Sequence, residues 1–197
     1  MHNIDLNKIL SRDTRLIVIP RISTVLFIFF QITGMLLYPG GTMYNKEAKG
    51  YTFTENFFSD MGAYAARNGD PNYLSMIFFS LSLTIVGVTF ILYYLTIPSL
   101  FRSDRLSYFI SLLGSLFAIA GSLCLIGTGL TPSDLVLESH KFFANNIFYS
   151  FLFTSFFYAY LIFNSNTIKK RYAIGYLFFF VSIFIYVGVL NYGPSAD

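Results

Sequence analysis

The sequence predicts an all-α polytopic membrane protein, an antiparallel bundle of five transmembrane helices with an amphipathic helix on its outer side. Three observations lead there. Only 12% of the 197 residues are charged, where soluble domains run near about 25%. Apolar residues make up 55% and mean hydropathy is +0.60 over the whole length. Five stretches also reach the roughly 20 apolar residues that a helix needs to cross about 30 Å of hydrocarbon.

The same numbers exclude a single soluble core, a disordered chain, a collagen and a disulfide scaffold. Cys124 has no second cysteine to pair with, so the redox compartment cannot be read. A net charge of +3 is too small to imply a nucleic-acid partner. There are 24 Phe and 15 Tyr but no Trp, so tyrosine takes the interfacial role that Trp often fills. An AT-rich genome would explain the missing Trp.

The spans are expected at about 16–38, 73–97, 106–130, 142–163 and 172–192, forming one transmembrane domain over 1–197. Residues 4–15 precede the first as a short polar arm, suited to an amphipathic helix on the membrane surface. The first run is too long for a cleaved signal peptide and lacks a small-residue cleavage pattern. Pro20 is tolerated in a first helical turn, and Arg21 can snorkel to the headgroups. Gly114, Ser115, Gly121, Ser122 and Gly127 dot the third span. Small residues let helices approach closely and suit a central position. Gln31 and Asn164 are the amides in or near the first and fourth spans, and no span carries a mid-membrane charge.

Orientation follows from the basic residues. Lys8, Arg12, Arg15, Arg21, Arg102, Arg105, Lys169, Lys170 and Arg171 fall on one side; Lys46, Lys49, Arg67 and Lys141 fall on the other. The positive-inside rule puts the first set, and the N-terminus, in the cytoplasm. Acidic residues show the reverse bias, and an odd number of spans leaves the C-terminus outside. The two cytoplasmic loops read as short turns.

The outer side is the elaborate one, because the 39–72 loop is longer than a bundle requires. Phe53, Phe57, Met61, Tyr64 and Ala65 recur at three- and four-residue steps, which predicts an amphipathic helix over 53–66. Its polar stripe is Asn56, Asp60, Ala63 and Arg67. On such a helix Asp60 and Arg67 lie two turns apart, too far to pair. The segment 131–134 (TPSD) carries a turn and helix-start signal. A helix from there would run into the fourth span with Asp134, Glu138, Lys141 and Asn145 along one stripe.

His140 and Asn145 lie deeper than Asp134 and are expected to face the interior, since polar groups facing lipid are costly. An ionised group beside hydrocarbon needs a partner. Asp60, Asp134 and His140 are therefore expected to converge near the outer boundary. Ser59, Arg67, Glu138, Lys141 and Asn145 stand around them as substrate- or headgroup-binding candidates. In a catalytic reading His140 is the general base, oriented by Asp134 or Asp60, with Ser59, Ser133 or Ser139 as a conceivable nucleophile. One divalent metal shared by Asp60, Asp134 and His140 is another form of the site. A three-His zinc site cannot be built. No GxSxG, HExxH, phosphate loop or CxxC is present.

The pairing of NFFSDMGAY after the first span with GLTPSD and ESHKFFA before the fourth resembles an uncharacterised prokaryotic family of small membrane proteins. It is more loosely similar to the eukaryotic Frag/DRAM/Sfk group. The matching positions are Ser59, Asp60 and Gly62, then Pro132, Asp134, His140 and Ala144. The resemblance implies a lipid-related role and supplies no reaction. Such relatives often show six spans, and five are counted here. Two function classes remain open: a lipid-binding, sensing or scaffold protein of the outer leaflet, and a membrane-embedded hydrolase or transferase acting on a lipid-linked substrate. A small transporter is the least favoured reading.

Overall fold

A computed structural model describes residues 11–166 and 168–193. The sequence-predicted N-terminal arm lies largely, and the end of the C-terminal tail entirely, outside those residues. Among the described residues five helices are long and apolar enough to cross a membrane: Thr14–Leu37, Tyr73–Phe101, Arg105–Leu130, Leu137–Asn164 and Arg171–Tyr192. Their α-helical parts are named α1 (Ile19–Leu37), α2 (Tyr73–Thr96), α3 (Arg105–Leu130), α4 (Leu137–Asn164) and α5 (Arg171–Tyr192). A π-helical turn, Thr14–Val18, leads into α1, and a 3-10 turn, Ile97–Phe101, extends α2. Pro20 sits in the first turn of α1, where its missing N–H costs nothing. Hydroxyls inside the apolar helices bond back to their own backbone, as Thr33 does to the Phe29 carbonyl and Ser122 to the Ala118 carbonyl.

The chain divides into two compact units. One takes in the chain up to Thr89 with Leu123–Ala144; the other takes in Phe90–Ser122 with the chain from Asn145 onward.

In the first unit α1 and α2 run antiparallel. Gln31 Nε2 donates to Ser82 Oγ, and Gly34 meets Ser75 and the Met61 sulfur. The core there is Tyr38, Met61, Ala66, Phe79 and Leu83, with Phe27, Met35, Tyr51 and Leu125 packed against it. Three of those residues, Tyr51, Met61 and Ala66, come from the 39–72 loop. The loop is thus seated on the helices by apolar burial. A Cβ on Gly62 would lie 2.5 Å from the Phe79 ring, so glycine is what lets the loop backbone rest on that ring.

In the second unit α3 and α4 also run antiparallel. Gly114 abuts Tyr158, and Gly121 abuts Ser150 and Phe151. Of the small residues expected along α3, Gly114, Ser115, Gly121 and Ser122 are buried and Gly127 is half-buried. Tyr158 is fully buried and its hydroxyl bonds Ser115 Oγ at 2.7 Å and the Ser111 carbonyl at 3.1 Å. α5 packs on α4 through Tyr158 with Tyr176 and Phe148 with Tyr186.

Two expectations change. The 53–66 stretch is not an amphipathic α-helix; its helical part is the five-residue 3-10 turn Phe58–Gly62. The helix expected from residue 133 starts at Leu137, and 131–136 is a turn closed by the Val136 N–H on the Pro132 carbonyl at 3.0 Å. Asp134 therefore lies on no helical stripe with Glu138, Lys141 and Asn145.

Candidate functional site

The 38–72 segment is held by side chains in place of a regular ladder. Thr42 Oγ1 accepts the Tyr44 and Asn45 amides, and Asn45 Oδ1 accepts that of Glu47. This is the local bonding by which Thr and Asn compete with helix. Isolated bridges join Gly40 to Lys49 and Ala65 to Pro71. Gly41 has φ +82°, and its backbone lies against that of Arg67 and Asn68. Asn56 is the next tie: its Oδ1 accepts the Thr52 amide, and its Nδ2 donates to the Gly41 carbonyl.

Asp60 is the centre of this cap and is 4% exposed. Its Oδ2 accepts Asn56 Nδ2 at 3.1 Å and the Phe57 amide at 3.0 Å. Its Oδ1 accepts Arg67 Nε at 3.1 Å and Nη2 at 2.9 Å. A carboxylate offers about four lone-pair positions, and Asp60 uses all of them. The pairing with Arg67 corrects the helix-based expectation: the non-helical path folds the chain back between the two residues. The hydrogen bond to Asp60 raises the Arg67 pKa above its ordinary value. Arg67 also lies 5.7 Å from the Phe57 ring centroid, and its amide donates to Tyr38 Oη. Burial pushes the Tyr38 phenol up, partly offset by that amide; burial likewise raises Tyr51, and the Asp60 charge adds to it.

Asp134 does something else with its carboxylate. Oδ1 accepts the Tyr64 amide at 2.8 Å and Oδ2 the Ala65 amide at 2.9 Å. It is an exposed residue whose two oxygens tie the 131–136 turn to the cap. Two loops placed on the same side by the sequence do meet, and this is the tie between them. Asp134→Ala is expected to lower stability by about 1–2 kcal/mol, discounted for solvent access. Asp134→Asn, with one acceptor oxygen in place of two, should lose less. Thermal unfolding of the purified protein checks both.

His140 is buried at 5% exposure, as expected. Its Nδ1 is 2.6 Å from the Thr131 carbonyl, so Nδ1–H donates there and the ring is fixed at the start of α4. Among the described residues no hydrogen bond joins His140 to Asp60, Asp134, Ser59, Ser133 or Ser139. Asp60, Asp134 and His140 each have hydrogen-bond partners of their own. A metal centre of Asp60, Asp134 and His140 is not assembled: among the described residues no three His, Cys, Asp or Glu side chains are grouped to hold an ion. The oxygens of Asp60 are also already taken.

The remaining candidates are peripheral. Ser59 is half-buried in the 3-10 turn. Glu138 and Lys141 form an exposed i,i+3 pair at 3.8 Å, a geometry worth little. Asn145 is half-buried in the second unit. One structural anchor escaped the sequence reading. Asn72 is 1% exposed, and its Nδ2 lies within hydrogen-bond distance of the Asp60, Met61 and Ala63 carbonyls. Its position just before α2 is an N-cap signal, but the side chain serves the loop.

No protein-family model, curated protein or solved structure matches the chain at a significant level.

Proposed function

We propose that this chain is a five-span integral membrane protein, with its N-terminus in the cytoplasm and its C-terminus outside. Its 38–72 cap is a non-enzymatic, lipid-facing binding or scaffold element of the outer leaflet. One observation carries the preference over a hydrolase: the cap's central carboxylate is saturated by four donors and has no acceptor position left for a substrate or metal. Asp134 is likewise committed, to two backbone amides. A group so engaged positions a loop; it does not move protons in a reaction.

What the cap leaves outward is aromatic and amphipathic. Phe53 is 77% exposed and Tyr44 80%, with Phe57, Phe58 and Tyr64 also exposed. Tyrosine rings favour the headgroup level of a bilayer, and the phenylalanine rings add apolar surface beside them. Arg67, gripped from one side by Asp60, keeps a side chain that is 38% exposed and N–H groups available to a phosphate oxygen. The basic asymmetry supports the orientation, and the resemblance to lipid-associated membrane proteins supports the ligand class.

The test uses Phe53→Cys in a Cys124→Ser background. An impermeant thiol reagent should label residue 53 from outside intact cells. A fluorophore attached there in reconstituted vesicles should be quenched by nitroxides carried on lipid headgroups or upper acyl chains. Quenching by aqueous iodide alone would overturn the lipid-facing reading; labelling only after permeabilisation would overturn the orientation.

A further inference from the structure

The second unit holds a groove of about 510 Å³ between the end of α4 and the start of α5. Phe156, Ala159, Ile174 and Leu177 line its apolar length, and Lys170 and Arg171 stand at its mouth. It is open to its surroundings: Phe156 is 52% exposed, Ile174 68% and Leu177 54%. The lining runs over 156–164 on one helix and 170–180 on the other. At about 1.5 Å per residue this covers roughly 12–15 Å, the depth of one leaflet of hydrocarbon.

The charge at the mouth is one-sided. Lys169, Lys170 and Arg171 are consecutive, and the chain has no Asp or Glu between Glu138 and Asp197. Neither α4 beyond its first turns nor any part of α5 can supply a counter-charge, and among the described residues none of the three forms an ion pair. Aromatic rings hold the two rim cations. Lys170 Nζ lies 5.2 Å from the Phe163 ring centroid, and the Arg171 guanidinium carbon lies 5.1 Å from that of Tyr172. Such contacts order a cation without neutralising it.

We infer that this groove binds one anionic phospholipid, its phosphate held by Lys170 and Arg171 and one acyl chain laid along Phe156, Ala159, Ile174 and Leu177. The groove's depth matches a chain within a single leaflet, the lining is apolar, and the unpaired cations sit where the headgroup lies. Under the proposed orientation this is the cytoplasmic leaflet, where anionic lipid and basic residues attract one another. The inference is independent of the role given to the 38–72 cap.

The experiment reconstitutes the full chain in equimolar phosphatidylglycerol and phosphatidylcholine, extracts it in mild detergent, and counts retained lipids by native mass spectrometry. One phosphatidylglycerol should be retained in preference to phosphatidylcholine. Lys170→Gln and Arg171→Gln should each weaken that retention roughly fivefold. Arg105→Gln removes an exposed cation outside the groove and should leave it unchanged. Ala159→Phe fills the groove and should abolish retention with helix content intact by circular dichroism. Equal retention of the two lipids would overturn the inference. So would an Arg105→Gln loss as large as that of Lys170→Gln, or a groove covered by a second copy of the chain.

Discussion

Asp60→Ala is expected to lower stability by about 3 kcal/mol, or roughly 10 °C in melting temperature. The substitution takes the acceptor from one Asn56 Nδ2 hydrogen (the other donates to Gly41), from the Phe57 amide and from the guanidinium of Arg67. Hydrogen bonds to a charged acceptor contribute about 1.5–3 kcal/mol each. The loss stays below their sum because Arg67, 38% exposed, can turn to water. Asp60→Asn should recover part of the loss, since its amide oxygen can still take the Phe57 N–H while its NH₂ opposes another donor. The lone thiol of Cys124, in α3, allows a thiol-reactive dye to follow unfolding. Far-ultraviolet dichroism at low temperature should stay near wild type, because the five spans do not depend on the cap's hydrogen bonds. Had Asp60 a catalytic role alone, its removal would leave the melting temperature in place.

Gly41→Ala should be at least as damaging, about 4 kcal/mol. The residue has φ +82°, and a Cβ there would sit 2.2 Å from the Asn68 nitrogen and 2.5 Å from the Arg67 carbonyl carbon. Left-handed backbone costs an L-residue about 1–2 kcal/mol, and overpacking adds about 1–3. Neither obstacle is a flexible side chain, so no small shift relieves them. Gly50→Ala is the control. Its φ is +68°, but a Cβ would meet nothing within 4 Å, so only the conformational cost of about 1 kcal/mol applies. Trypsin reads the difference directly. Cleavage after Lys46, Lys49 and Arg67 should be fast in Gly41→Ala and slow in Gly50→Ala.

The five long apolar helices were legible because length and hydropathy are local quantities. Their ends follow the sequence estimate closely except at α4, which starts at Leu137. Its first turn, Leu-Glu-Ser-His, is too polar to register as a span yet continues the same helix. The 53–66 stretch misled for the opposite reason. Phe57, Met61 and Tyr64 do recur at helical spacing, but Asn56, Asp60 and Asn72 bind loop backbone groups and hold the chain in turns. Once the helix is gone, the distance between Asp60 and Arg67 along the sequence no longer limits their approach. His140 was recognisable as interior because it lies nearer the fourth span than Asp134 does. That Asp134 would find the Tyr64 and Ala65 amides, about 70 positions earlier, is a tertiary fact with no local trace.

The central claim is that both aspartates act as clasps on backbone amides, and amide hydrogen exchange measures those amides themselves. In the full chain reconstituted in nanodiscs, the Phe57, Tyr64 and Ala65 N–H groups should exchange far more slowly than in an unstructured peptide. Asp60→Ala should release Phe57, and Asp134→Ala should release Tyr64 and Ala65. Exchange of all three at peptide rates in the unaltered protein would contradict the account.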